Sequence, residues 1–188
     1  MSNANTRNSG PHSSGAAATP VQTFSYCKPD EEKKGNKEIV LLCKDKRMRG
    51  AVHIVRRGGE EHLHSHKTVD GFWMVLSGRV RFHGADETLL GEFGPMEGIL
   101  VPRNTRYWFE SVGAEELELL QVLGFDAGKG FQRDDHAPPN FDPKSVRWYD
   151  IRKGNVEDPS EDFSGGGTVR RVLGRIKRTV VGFLRSER

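Results

Sequence analysis

No apolar run in the sequence comes near the ~20 residues that a membrane-crossing helix requires, so no such helix is expected. Cysteine is scarce. Cys27 and Cys43 are the two present, and they stand in no metal or redox spacing. With no apolar leader in view, both are expected to be reduced and the protein to be cytoplasmic. Helical periodicity is missing between residues 39 and 125, which argues against a helical bundle there. A strong overall charge is missing too: the formal net charge is +3. That excess is local. Residues 168–188 hold seven Arg and Lys against the single Glu187, a net +6, and the rest of the chain carries about −3. The body is mildly acidic, so nucleic acid is not an expected partner.

What is present divides the 188 residues into four parts. Residues 1–20 are rich in Ser, Asn, Gly, Ala and Pro, and 28–38 are densely charged. Together 1–38 read as a disordered or loosely ordered tail. From 39 to 125 short apolar segments alternate with Gly/Pro corners: 39–43, 51–55, 62–66, 72–76, 79–83, 88–90, 99–101, 106–110 and 117–123. That rhythm predicts an all-β sandwich or barrel. Residues 126–163, with four prolines, read as an extended segment wrapping the barrel, with a strand near 146–151. In 164–188 a Gly-rich joint precedes Val169, Val172, Leu173, Ile176, Val180, Phe183 and Leu184 at helical spacing, a C-terminal basic amphipathic helix. That helix suits docking on the barrel or a second subunit, and its charge also suits peripheral contact with an anionic membrane surface.

His62, His64 and His66 recur at every second residue, so on a strand all three point to one face. Imidazoles gathered inside a barrel can bind a divalent metal or move a proton. On a straight strand His62 and His66 lie about 13 Å apart, so three ligands on one ion are harder to arrange than two. Trp73 shares the inner face with Gly71, while Phe72, Met74 and Leu76 face outward, toward a second sheet or the other half of a homodimer. Arg79, Arg81, Arg103 and Arg106 flank the inner positions and could take an anionic group of a substrate or form a solvated rim.

These residues resemble the cupins. The first cupin motif is met in spacing by Gly58, His64, His66 and Gly78, with Gly71 where the family carries a metal-binding glutamate. Asp70, one place early, should point the other way. The second motif is met at Pro102 alone; Asn104 replaces a turn glycine, and Tyr107 stands in place of the last histidine ligand. The resemblance implies a small cupin-type β-barrel, that is, a double-stranded β-helix or jelly roll, over 39–125. It implies a small-molecule site inside it, with His64, His66 and Tyr107 as catalytic groups. Trp73, Gly71, Arg81 and Arg106 would then contact substrate. For Fe, Mn, Zn or Ni the ligands would be His64, His66, His62 and Tyr107, and the activity a metal-assisted oxygenase (such as a dioxygenase), isomerase or lyase. Loss of the glutamate leaves two alternatives open. One is a metal-free acid/base isomerase or epimerase for a nucleotide-sugar-like substrate, and the other is a non-catalytic binding or sensor module.

Overall fold

The computed structural model describes residues 20–29, 36–56, 61–139, 146–151 and 154–156. The expected C-terminal helix and its Gly-rich joint lie outside the described residues, as does Gly58. Among the described residues twelve strands follow in order: β1 (Lys37–Lys44), β2 (Met48–Val55), β3 (His64–His66), β4 (Val69–Ser77), β5 (Val80–Gly84), β6 (Leu89–Phe93), β7 (Gly98–Val101), β8 (Tyr107–Ser111), β9 (Leu117–Phe125), β10 (Arg133–Asp135), β11 (Val146–Asp150) and β12 (Gly154–Val156). They form a seven-stranded sheet, β12-β11-β1-β2-β9-β4-β7, and a five-stranded sheet, β10-β3-β8-β5-β6. Pairing is antiparallel apart from β1 with β11.

Alternation along the strands builds the interior. On β9, Leu117, Leu119, Gln121 and Leu123 are buried and the residues between them are only partly so. Register brings Val55 opposite Leu117 and His53 opposite Leu119 on β2, with Trp73 opposite Gln121 on β4. The facing sheet contributes Val80, Phe82 and Phe109 to one core cluster with Trp73, Val75, Leu117 and Leu119. Burial of these apolar side chains, each stabilising by roughly 1.5–3 kcal/mol, drives the closure of the two sheets.

Backbone shape at two turns bears on the site. Asn104, in place of the usual turn glycine, has φ 66°; asparagine tolerates that left-handed conformation. Gly98 lies so close to the Trp73 carbonyl that a Cβ there would overlap it. Only glycine lets β7 pack on β4 at that point.

The tail differs from expectation over part of its length. Residues 20–29 lie against the body: Gln22 exchanges hydrogen bonds with the Lys44 backbone at 2.8 and 3.1 Å, and the Tyr26 hydroxyl donates to Glu118 at 2.7 Å. Tyr26 packs on Val40, Leu42, Val52 and Ile54, a second apolar cluster on the other face of the large sheet. Composition concealed this because a few anchoring side chains are enough to dock an otherwise polar segment. β1 also starts two residues before the predicted edge, with Lys37 and Glu38 buried despite their charge.

Candidate functional site

β3 and β8 meet at one register pair, His64 opposite Tyr107. The two rings lie 4.4 Å apart by centroid, and the His66 ring lies 5.0 Å from His64 and 6.3 Å from Tyr107. The structure therefore brings the three proposed catalytic side chains together, all buried. His62 precedes β3, and its ring is 6.1 Å from His64. Its Nε2 lies 2.8 Å from an Asp135 carboxylate oxygen and 3.1 Å from an Arg133 nitrogen.

Hydrogen bonding fixes two tautomers. His64 Nδ1 is 2.7 Å from the His62 carbonyl. A carbonyl only accepts, so Nδ1 carries the proton and Nε2 of the neutral ring keeps its lone pair. Likewise, Gln121 Oε1 accepts from Arg49 at 3.0 Å and faces His53 Nε2 at 3.2 Å. His53 is thus protonated on Nε2.

The interior also holds a charge network that the motif reading missed. The Glu61 carboxylate meets Lys37 on one oxygen and Arg133 on the other, at 3.2 Å for the latter. Lys37 Nζ also lies 5.5 Å from the Phe109 ring centroid. Arg133 reaches the site from β10, which pairs with β3 and places Phe131 5.0 Å from the His66 ring. Asp150, buried on β11, belongs to the same inner face by its register with Leu41. In sequence β10 reads only as Arg133-Asp134-Asp135, one basic residue beside two acidic ones. Three residues are too few to read as a strand.

These surroundings set the protonation states. Burial, reinforced by the Arg133 cation, pushes His64 down to about 4; burial, His64 and Arg133 push His66 down to about 3. Both are neutral at pH 7. Burial raises the Tyr107 phenol, so it keeps its proton. Burial disfavours the Glu61 carboxylate, yet Lys37 and Arg133 outweigh it and hold Glu61 well below the usual carboxylate range.

The remaining predicted contacts divide. Gly71 and Trp73 share the inner face, and a Cβ at 71 would stand 3.3 Å from the indole nitrogen and 3.6 Å from Leu123. The position a side chain at 71 would take is therefore crowded by the indole itself. Arg81 and Arg106 do not join the cluster. Arg81 pairs with Glu92 at 2.7 Å, and Arg106 is exposed. The reason is alternation, since burying Phe82 and Tyr107 turns their neighbours outward. Asp70 also points away, taking the Arg103 backbone N–H at 2.8 Å and its guanidinium at 2.6 Å.

The metal set does not fit. Among the described residues, no three His, Cys, Asp or Glu side chains are grouped to hold an ion. Gly71 supplies no carboxylate, and Tyr107 remains a neutral phenol. Arg133 stands beside the imidazoles, where a divalent cation would be repelled.

No protein family and no curated protein matches the sequence. Solved structures do. The cupin domain of Schizosaccharomyces pombe Cnp3 is 18% identical over 54% of this chain and 74% of that one, with a TM-score of 0.47. An RmlC-like cupin protein from Desulfovibrio desulfuricans is 15% identical over 57% and 97%, with a TM-score of 0.43. Among its described residues the chain is an all-β fold of two sheets packed on a common core. Tomato vicilin is 18% identical over 48% of this chain, with a TM-score of 0.42, and the match spans a quarter (25%) of its length. At these identities and TM-scores the likeness carries no functional argument, and the function of this chain has to be argued from its own interior.

Proposed function

We propose that the barrel interior is a metal-free acid/base site for a small molecule, of the isomerase or epimerase class. The observation that carries this reading is the His64–Tyr107 pair, with a bare Nε2 lone pair on one ring and a protonated phenol on the other, 4.4 Å apart by centroid. A neutral imidazole of this kind accepts a proton from a carbon next to a carbonyl, while the phenol donates to the oxygen on which charge develops. The proton then returns from His64, or from His66 on the same strand, to a different carbon or to the other face. The low basicity of the imidazoles does not oppose this. An anionic substrate brought against the imidazoles raises their proton affinity when it binds.

A second reading rests on a specific observation as well. Lys37, Glu61 and Arg133 already satisfy one another, and such a closed network is consistent with a non-catalytic binding module. Incubation in deuterated water with a panel of keto- and aldo-compounds separates the two. The acid/base reading predicts deuterium at the carbon next to the carbonyl, undiminished by a chelator and lost in His64→Gln. Exchange that a chelator abolishes, or its absence across the panel, would overturn it.

A further inference from the structure

The edge of the large sheet carries a surface that the chemistry of the interior leaves unused. β7 stands last in that sheet, and among the described residues no strand pairs with its other side. Its register on β4 fixes which backbone groups lie open. The Val75 N–H donates to the Glu97 carbonyl at 2.9 Å, and the Met96 N–H to the Val75 carbonyl at 2.8 Å. In an antiparallel ladder such bonded pairs recur at every second residue. The next are Trp73 with Ile99 and Gly71 with Val101. The N–H and C=O groups of Gly98 and Leu100 therefore turn away from β4, to the open side. Natural edges are guarded by charge, proline or a bulge. At the edges of the small sheet, β10 is charged at all its positions and β6 holds Glu92. β7 reads Gly98-Ile99-Leu100-Val101, with neither charge nor proline.

Side chains on the outer face add to this. Leu100 is 64% exposed, Phe72 opposite it on β4 is 43% exposed, and Met96, at the turn entering β7, is 75% exposed. On its other side Phe72 stands opposite Val122 of β9, itself only partly buried, so the apolar row crosses three strands. Leu100, Phe72 and Met96 together present on the order of 300 Å² to solvent. Patches of that size mark interaction surfaces, although a stable complex takes about 800 Å² from each partner.

We propose that this edge pairs with the same edge of a second copy, β7 antiparallel to β7 about a twofold axis at Ile99, in a weak dimer. The arrangement is self-complementary in three ways. Gly98 of each copy faces Leu100 of the other, so the open groups of the two strands close four hydrogen bonds. Gly98 has no side chain on the outer face, and Leu100 of the second copy fills that gap beside Met74, which stands opposite Gly98. Glu97 precedes β7 while Arg103 and Arg106 follow it, so antiparallel pairing lays the acidic end of one copy beside the basic end of the other. A docked helix, such as the one expected in the C-terminal residues, would cover the side chains but has no free backbone groups to offer this edge. A strand does, and the twofold pairing needs no strand from any other protein.

The test is sedimentation velocity of the full chain from about 1 μM to about 1 mM, with amide hydrogen exchange followed at both ends of that range. The expected result is a reversible monomer–dimer equilibrium. The Gly98 and Leu100 amides should exchange fast when dilute and become protected when concentrated, while Ile99 and Val101 stay protected throughout. Leu100→Asp should weaken association by roughly tenfold or more, and at dilution it should unfold at the parent's midpoint. A chain that stays monomeric over the whole range overturns the proposal. So does a dimer in which Gly98 and Leu100 still exchange fast, or one that Leu100→Asp leaves intact. Protection of those two amides that is the same at every concentration would mean that another part of the same chain holds the edge, and it overturns the proposal as well.

Discussion

One end of the barrel interior is apolar and the other is polar, although the same strands build both. Val55, Val75, Leu117, Leu119, Val80, Phe82 and Phe109 fill the first. Two residues further along those inner rows come His53 on β2, Trp73 on β4, Gln121 on β9 and Tyr107 on β8, joined by His64, Glu61 and Arg133. The apolar end contains what folding requires. Burying charges and imidazoles a few ångströms away adds desolvation cost that close pairing only partly offsets. A sheet face that could have been apolar throughout and is not points to a requirement other than stability, and the chemistry of the site supplies one.

Substitutions at the two ends should behave differently. At the apolar end, Phe82→Ala should cost about 3–5 kcal/mol in chemical denaturation, with ligand binding by the folded fraction unchanged. At the polar end, Glu61→Gln should cost a comparable about 3–5 kcal/mol, because it takes the Glu61 carboxylate from the buried Lys37 ammonium and one of two carboxylate partners from Arg133. The diagnostic difference is rescue. Adding Lys37→Met to Glu61→Gln should recover part of the loss, whereas no second truncation near Phe82 should. A double variant no more stable than Glu61→Gln alone would show that the pair is not coupled.

Acid should expose the polar end next. His64 and His66 are depressed from 6.5 to about 4 and about 3. Below pH 6.5 the unfolded chain binds protons that the folded chain refuses, so stability falls as pH drops. The expected slope is about 1.4 kcal/mol per pH unit for each imidazole until its folded-state value is reached. Denaturation curves at pH 7, 6 and 5 measure it, and replacing both histidines with Gln should flatten it. A pH-independent midpoint in the parent would mean that the imidazoles are not desolvated.

A smaller effect on stability is expected for Tyr107→Phe, within about 1 kcal/mol, together with a loss of exchange activity of about 10²–10⁴. Activity falls here with little loss of stability, the reverse of the pattern expected for Phe82→Ala. Smallest of all is Leu100→Ser on the outer face of β7, where the side chain is 64% exposed. A change within about 0.5 kcal/mol is expected there. Sedimentation of the same variant would also show whether Leu100 and Phe72, exposed opposite each other across β7 and β4, mediate self-association.

The strands of the body were legible because alternation and Gly/Pro corners are local signals. Val69–Ser77 and Leu117–Phe125 extend the predicted segments by a few residues at their ends. His64, His66 and Tyr107 were legible for the same reason, since a motif spacing on strands fixes a face. Lys37, Glu61 and Arg133 were not. Each comes from a separate segment, and a buried charge is written in sequence just as an exposed one is. Arg81 and Arg106 show the converse error: charge beside the motif suggested a role, but strict alternation with Phe82 and Tyr107 had already turned them outward.

The most direct test of the account is the protonation state of His64, followed by long-range ¹H–¹⁵N spectroscopy across pH. The account predicts a neutral ring protonated on Nδ1 from pH 7 down to pH 5, charging only near 4. An Nε2-protonated tautomer, or a midpoint near 6.5, would contradict it.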